Sequence, residues 1–166
     1  MSIREIITDY SKGDYMGIYW ALFWQRERCE NKMWRDILTF ILNHAAHRHG
    51  GYIGNGARFT DEPLLPHGLQ GIYISRYASI GMYCCIYQNV TIGEVDGKAP
   101  QIGNHCLIGA GAILIGDIKI GDHVKIGAGS VVGTDIPDRA TVVPQPARII
   151  LREANHDGNE PGLDRN

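Results

Sequence analysis

His67 stands in the stretch "LPHGLQGIYIS", at a point where a regular spacing of aliphatic residues breaks. A hydroxyl is a poor nucleophile near neutral pH, and a neutral imidazole within hydrogen-bond reach can take its proton as it attacks an acyl group. Two other histidines, His105 and His123, lie eighteen residues apart. Such a pair suggests zinc, but a catalytic zinc needs three protein ligands and an open fourth position. No third histidine falls at a related spacing, so solvated turn residues are the expected reading. His44, His47 and His49 close a helical pattern, where imidazoles suit the last carbonyls and the macrodipole; a metal site is the alternative there. Cys29, Cys84, Cys85 and Cys106 form no CxxC pair and no metal quartet, which reads as reduced thiols in a cytoplasmic protein.

The element that must hold His67 is legible from a repeat. Aliphatic residues recur every six positions at Ile74, Ile80, Ile86 and Ile92, and again at Ile102, Ile108, Leu114, Ile120, Ile126 and Val132. Small or β-branched residues such as Ala78, Cys84, Val90, Cys106, Ala112, Val124 and Ser130 sit two positions earlier, and glycine often follows the aliphatic. A period of six is neither a helix nor a continuing strand; the chain must turn a corner at every hexad. Three corners close a triangular coil of eighteen residues, which is a parallel β-helix.

Stacked coils give three inner columns: Ile74, Ile92, Leu114 and Val132; Ile80, Ile102 and Ile120; Ile86, Ile108 and Ile126. The register requires four extra residues to loop out within "GEVDGKAPQ", where Lys98 reads as a solvating charge. The same count stacks Cys84 on Cys106 as small core residues, with a disulfide or a nucleophile as the alternative. Read backwards, Ile53, Phe59 and Leu65 keep the rhythm, but the next aliphatic falls at 74 rather than 71. Three residues therefore loop out around "PHGLQG" and present His67 from a rigid scaffold.

Both ends of such a stack need covering. Residues 1–50 read as a helical cap, with Asp14 as a candidate cap residue, an aromatic-rich segment after it, and a second helix from about Asn31 to His49. That helix places Trp34, Ile37, Leu38, Ile41 and Leu42 at helical spacing, to pack against the protein or a sister chain. Residues 51–136 form the β-helix, 137–152 a C-terminal cap and 153–166 a polar tail containing His156. The most apolar run, "YMGIYWALFW", is about half the length a spanning helix needs. A formal charge of −2 from 16 basic and 18 acidic residues gives no basic field for nucleic acid or anionic lipid.

The stretches "IGNGARFTDEPLLPHGLQGIYIS", "IYQNVTIG", "IGAGAILIGDIKIGDHVKIGAGSVV" and "PARII" resemble the hexapeptide-repeat acyltransferases, and among them the serine acetyltransferase-like branch. The resemblance implies a left-handed β-helix, a homotrimer with sites between neighbouring β-helices, and acetyl-CoA as donor with no metal required. It puts His67 at the position of the histidine that deprotonates the acceptor. It puts Gly109, Ala110, Gly127 and Ala128 along the CoA groove, where minimal side chains admit pantetheine, and Arg148 and Arg152 near the adenosine 3′-phosphate.

Three positions depart from the serine enzymes. Tyr52 stands where the family has an aspartate that orients the histidine, and Pro66 where it has a serine-handling aspartate. Ala99 stands where it has a second histidine. Asp61 or Glu62 could orient His67 instead. These departures lead to the expectation of an O-acetyltransferase acting on a sugar of a surface-polysaccharide or lipopolysaccharide precursor. The alternatives are serine O-acetylation, amino-sugar N-acetylation, and a non-enzymatic or zinc-binding β-helix.

Overall fold

The computed structural model describes residues 16–146 and 149–150. Each hexad from Ile74 to Val132 forms a strand of two or three residues whose second residue points inward, and successive coils pair in parallel. The first sheet stacks β1 (Tyr52–Ile53), β3 (Tyr73–Ile74), β6 (Thr91–Gly93), β9 (Ile113–Ile115) and β12 (Val131–Val132). The second stacks β2 (Arg58–Phe59), β4 (Ser79–Ile80), β7 (Gln101–Ile102) and β10 (Lys119–Ile120), and the third β5 (Cys85–Ile86), β8 (Leu107–Ile108), β11 (Lys125–Ile126) and β13 (Thr141–Val142). Pairing follows the register read from the repeat: Ile74 on Ile92 on Leu114 on Val132, Ile80 on Ile102 on Ile120, and Ile86 on Ile108 on Ile126. The molecule is a parallel β-helix whose core is these three columns together with the buried small residues that precede each aliphatic.

Both irregularities are built locally. The four-residue insertion becomes a tight hairpin, in which Val95 and Lys98 exchange two backbone hydrogen bonds of 2.9 and 3.0 Å. Asp96 and Gly97 take φ of 51° and 75° at its tip, the left-handed pair that a two-residue Asp-Gly turn favours. The three-residue excess before β3 pairs Ile53 with Ile74 across 21 residues rather than eighteen.

β13 extends the third sheet, with Val142 on Ile126, and Ile136 bridges to Ile120. At the other end lie α1 (Gly17–Arg28) and α2 (Lys32–Arg48). Trp20 and Phe23 of α1 pack edge-on against Phe59, with ring centroids 5.2 and 5.5 Å away, so the first helix covers the open end of the second column. Asn31 caps α2 by accepting from the Trp34 N–H at 3.2 Å. Only Leu42 and Ala46 of α2 are buried, while Trp34, Ile37 and Ile41 face away from the β-helix. Asp14, expected as a cap, lies outside the described residues. No described helix is long and apolar enough to cross a membrane.

Candidate active site

His67 projects from the corner that joins the third sheet to the first. The turn carrying it is pinned from inside: Leu69 and Ile72 are fully buried, and the N–H of Gly68 donates to the Leu65 carbonyl at 3.1 Å. Gly71 adopts φ 66°, and a Cβ there would stand 2.0 Å from Asn89 Oδ1, so only glycine lets this turn settle on the next coil. The Asn89 N–H in return donates to the Gln70 carbonyl at 2.9 Å. His67 itself is exposed. It is therefore an accessible imidazole on a fixed backbone, which is what proton abstraction from a bound hydroxyl requires.

The same corner, followed along the stack, consists of Tyr87–Gln88–Asn89, then Gly109–Ala110–Gly111, then Gly127–Ala128–Gly129. Backbone hydrogen bonds tie these turns to one another, Gly111 N–H to the Gln88 carbonyl at 3.0 Å and Gly129 N–H to the Ala110 carbonyl at 2.9 Å. His67 and the four residues expected along the CoA groove thus share one edge of the β-helix. Stacking alone demands glycine at 109, because a Cβ there would lie 2.6 Å from the Ala128 nitrogen. At Gly111 and Gly129 the demand is conformational, with φ of 68° and 70°, and a Cβ at either would meet nothing within 4 Å, so the turn surface beside them is unobstructed. The repeat showed these two glycines, but not which way they face. Gln88 adds a buried Oε1 with no hydrogen-bond partner among the described residues, an acceptor free for a donor brought by a ligand.

Neither carboxylate expected to orient His67 reaches it. Glu62 Oε1 accepts from the Trp24 indole at 3.0 Å, and Asp61 Oδ1 accepts from the Glu62 N–H at 2.8 Å. The first contact fastens α1 to the irregular coil, and the second holds the local turn. The ring that faces His67 is Tyr87, one coil along, with centroids 6.2 Å apart at 54°. Sequence reasoning missed it because the pairing arises only after three residues are looped out. Arg148 and Arg152, expected at the 3′-phosphate, lie outside the described residues.

His105 and His123 stack as the register requires, with ring centroids 4.7 Å apart and planes at 1°, and Tyr83 continues the ladder onto His105 at 4.9 Å. All three take φ near +57° at an exposed corner between the second and third sheets, away from His67. No group of three or more metal-binding side chains gathers among the described residues. Cys84 and Cys106 are buried, and their thiols donate to the Gly103 and Gly121 carbonyls at 3.2 and 3.1 Å. The hydrogen bond with Cys106, and then burial, hold the Cys84 thiol far above its ordinary pKa, which suits a core residue and not a nucleophile.

The family described as bacterial transferase hexapeptide (six repeats) matches residues 99–134. A serine acetyltransferase of Staphylococcus epidermidis is 38% identical over 162 residues, covering 95% of this chain and 73% of its own length. One from Synechococcus elongatus is 41% identical over 121 residues, 70% of this chain and 49% of its own. The chain spans about half the length of the cyanobacterial and plant relatives it matches. Among solved structures, the Neisseria gonorrhoeae serine acetyltransferase in complex with serine superposes with a TM-score of 0.62 at 36% identity, over 69% of this chain and 48% of that one. Soybean serine acetyltransferase complexed with serine gives a TM-score of 0.62 at 36% identity, over 78% and 52%.

Proposed function

The chain belongs to the serine acetyltransferase family of hexapeptide-repeat transferases, and from that premise we propose that it moves the acetyl group of acetyl-CoA to the hydroxyl of L-serine, with His67 as general base. The observation that carries the mechanism is the shared edge. His67 stands at one end of a strip of turns whose minimal side chains leave room for pantetheine, and Gln88 Oε1 offers an unpaired acceptor to one of its amide N–H groups. The imidazole takes the hydroxyl proton as the oxygen attacks the thioester carbonyl. When the tetrahedral intermediate collapses, the C–S bond breaks and the imidazolium returns the proton to the departing thiolate.

Serine is favoured over the sugar expected from the sequence, because the relatives and solved structures described above are serine acetyltransferases, two of the latter with serine bound. Tyr52, Pro66 and Ala99 do not by themselves decide against serine. A missing side chain says which contact is lost and says nothing of what replaces it. Self-association into a trimer is supported by the outer face of the first sheet, where Tyr52, Tyr73, Thr91, Ile113 and Val131 fall in register. Arg148 and Arg152 remain the proposed partners of the 3′-phosphate.

Thiol release from acetyl-CoA, measured against L-serine and a panel of sugars and sugar nucleotides, tests the acceptor. The reading requires the highest kcat/KM for L-serine. A sugar turned over faster than L-serine would restore the acceptor read from Tyr52, Pro66 and Ala99.

A further inference from the structure

We propose that Tyr87 is the positioning residue of His67: its ring, in place of a carboxylate, holds the imidazole in the orientation from which it takes the acceptor's proton. The inference rests on the general-base reading of His67. A base on an exposed turn needs its ring plane fixed as well as its backbone, because an unheld imidazole samples several rotamers. A hydrogen bond from the other ring nitrogen to a carboxylate or carbonyl is the usual device. Among the described residues no carboxylate plays that part. Glu62 accepts from the Trp24 indole at 3.0 Å, Asp61 from the Glu62 N–H at 2.8 Å, and neither ion pair includes the imidazole. Tyr52 does not replace them, since its ring lies against Tyr73 on the first sheet, with centroids 6.5 Å apart.

Tyr87 does reach His67, with ring centroids 6.2 Å apart and planes tilted by 54°. Paired aromatic rings favour this arrangement, with centroids ~4.5–7 Å apart and planes away from a face-to-face sandwich. The tyrosine is itself held. Its N–H donates to the Ile108 carbonyl at 3.0 Å, Ile86 before it is fully buried, and Tyr87 is half-buried. The segment that carries His67 is tied to the same strand a few residues earlier. Leu64 bridges to Cys85, the Leu64 N–H donates to the Cys84 carbonyl at 2.8 Å, and the Ile86 N–H donates to the Leu64 carbonyl at 2.9 Å. Pro66 therefore falls beside Tyr87, and the turn that follows brings His67 against the tyrosine ring.

An aromatic partner works differently from a carboxylate. It restricts the tilt of the imidazole without adding charge, so it aims the ring and does not neutralise the imidazolium that forms during transfer. Neither ring nitrogen is tied to a carboxylate among the described residues, which leaves one to take the hydroxyl proton while the other keeps its own. The contribution belongs in the rate and not in donor affinity. The attraction of a tilted ring pair corresponds to a ~2- to 10-fold bias toward one orientation, and that is the size of the effect to expect.

The test uses the full chain and two substitutions: Tyr87→Leu, which keeps apolar bulk, and Tyr87→Phe, which keeps the ring. Thiol release gives kcat and KM separately, and calorimetry gives acetyl-CoA affinity. Tyr87→Leu should lower kcat ~2- to 10-fold with acetyl-CoA affinity unchanged, and Tyr87→Phe should recover most of that loss. In a His67→Ala background Tyr87→Leu should have no further effect, because a positioning residue acts only through the group it positions. With isotope-labelled histidine, NMR should show contacts between the His67 and Tyr87 ring protons, and the His67 signal should move toward that of free histidine in Tyr87→Leu. Equal losses in the Leu and Phe variants, an additive loss in the double variant, or a His67 signal unmoved in Tyr87→Leu would each overturn the proposal. A parallel loss of acetyl-CoA affinity would overturn it too, by giving the ring to the donor. The two readings fail differently. If His67→Ala transfers acetyl groups at the wild-type rate, the general-base reading falls and the positioning role with it. If His67→Ala is impaired and Tyr87→Leu is not, the positioning assignment falls alone.

Discussion

Leu107 and Ile108 are neighbours on the two-residue strand β8, and they should respond oppositely to truncation. Ile108 is completely buried in the third column between Ile86 and Ile126, while Leu107 faces outward with 37% of its surface exposed. Ile108→Ala removes three buried carbons at about 0.8 kcal/mol each, so the transfer loss is roughly 2.4 kcal/mol. Strands hydrogen-bonded above and below cannot collapse into the space, and the residual cavity raises the total to about 3–4 kcal/mol. Leu107→Ala should cost less than about 1 kcal/mol, since its side chain already meets solvent. Urea unfolding monitored by circular dichroism measures both at equal protein concentration, with sedimentation to verify that assembly is unchanged. Equal costs, or a larger cost at Leu107, would refute the column assignment and with it the register that places His67 on a looped-out turn.

Further outcomes follow from the same geometry. Gly71→Ala forces a Cβ against Asn89 at φ 66° and should cost about 1–3 kcal/mol while lowering acetyl transfer, both read on one preparation. His105→Ala and His123→Ala, on a different corner, should keep near-normal rates in the thiol-release assay. A maleimide should modify Cys29 in the native chain and leave Cys84 and Cys106 untouched until denaturant is added, as peptide mass mapping would show. Burial raises the pKa of the Cys85 thiol, so the folded thiol stays protonated where the unfolded one ionises, and its contribution is whole below the ordinary thiol value and is lost as pH rises beyond it. The urea midpoint should therefore fall between about pH 8 and pH 10, by less in Cys85→Ala than in wild type.

The three columns, the hairpin insertion and the stacked histidines were legible because a hexad repeat fixes which residues lie eighteen apart on one face. His123 must stack on His105 once the corner between Ile120 and Val124 matches that between Ile102 and Cys106. The bulge was legible as a count of three residues but not as a shape. That Leu69 turns into the core, leaving His67 on the surface, depends on packing against the end of α2 and on Asn89. Tyr87 facing His67, and Glu62 spent on Trp24, are contacts between segments that the repeat does not relate. The exposed stripe of α2 shows the limit of periodicity, which identifies an apolar face and not what it meets.

The central claim is that the interrupted hexad exists to present a base. The most direct measurement is the acetyl-transfer rate of His67→Ala beside its affinity for acetyl-CoA. The account predicts a rate lower by ~10²- to 10⁴-fold, the usual worth of general-base assistance, with acetyl-CoA binding little changed because the small-residue turns at 109–111 and 127–129 remain. A variant that still transfers acetyl groups at the wild-type rate would contradict it.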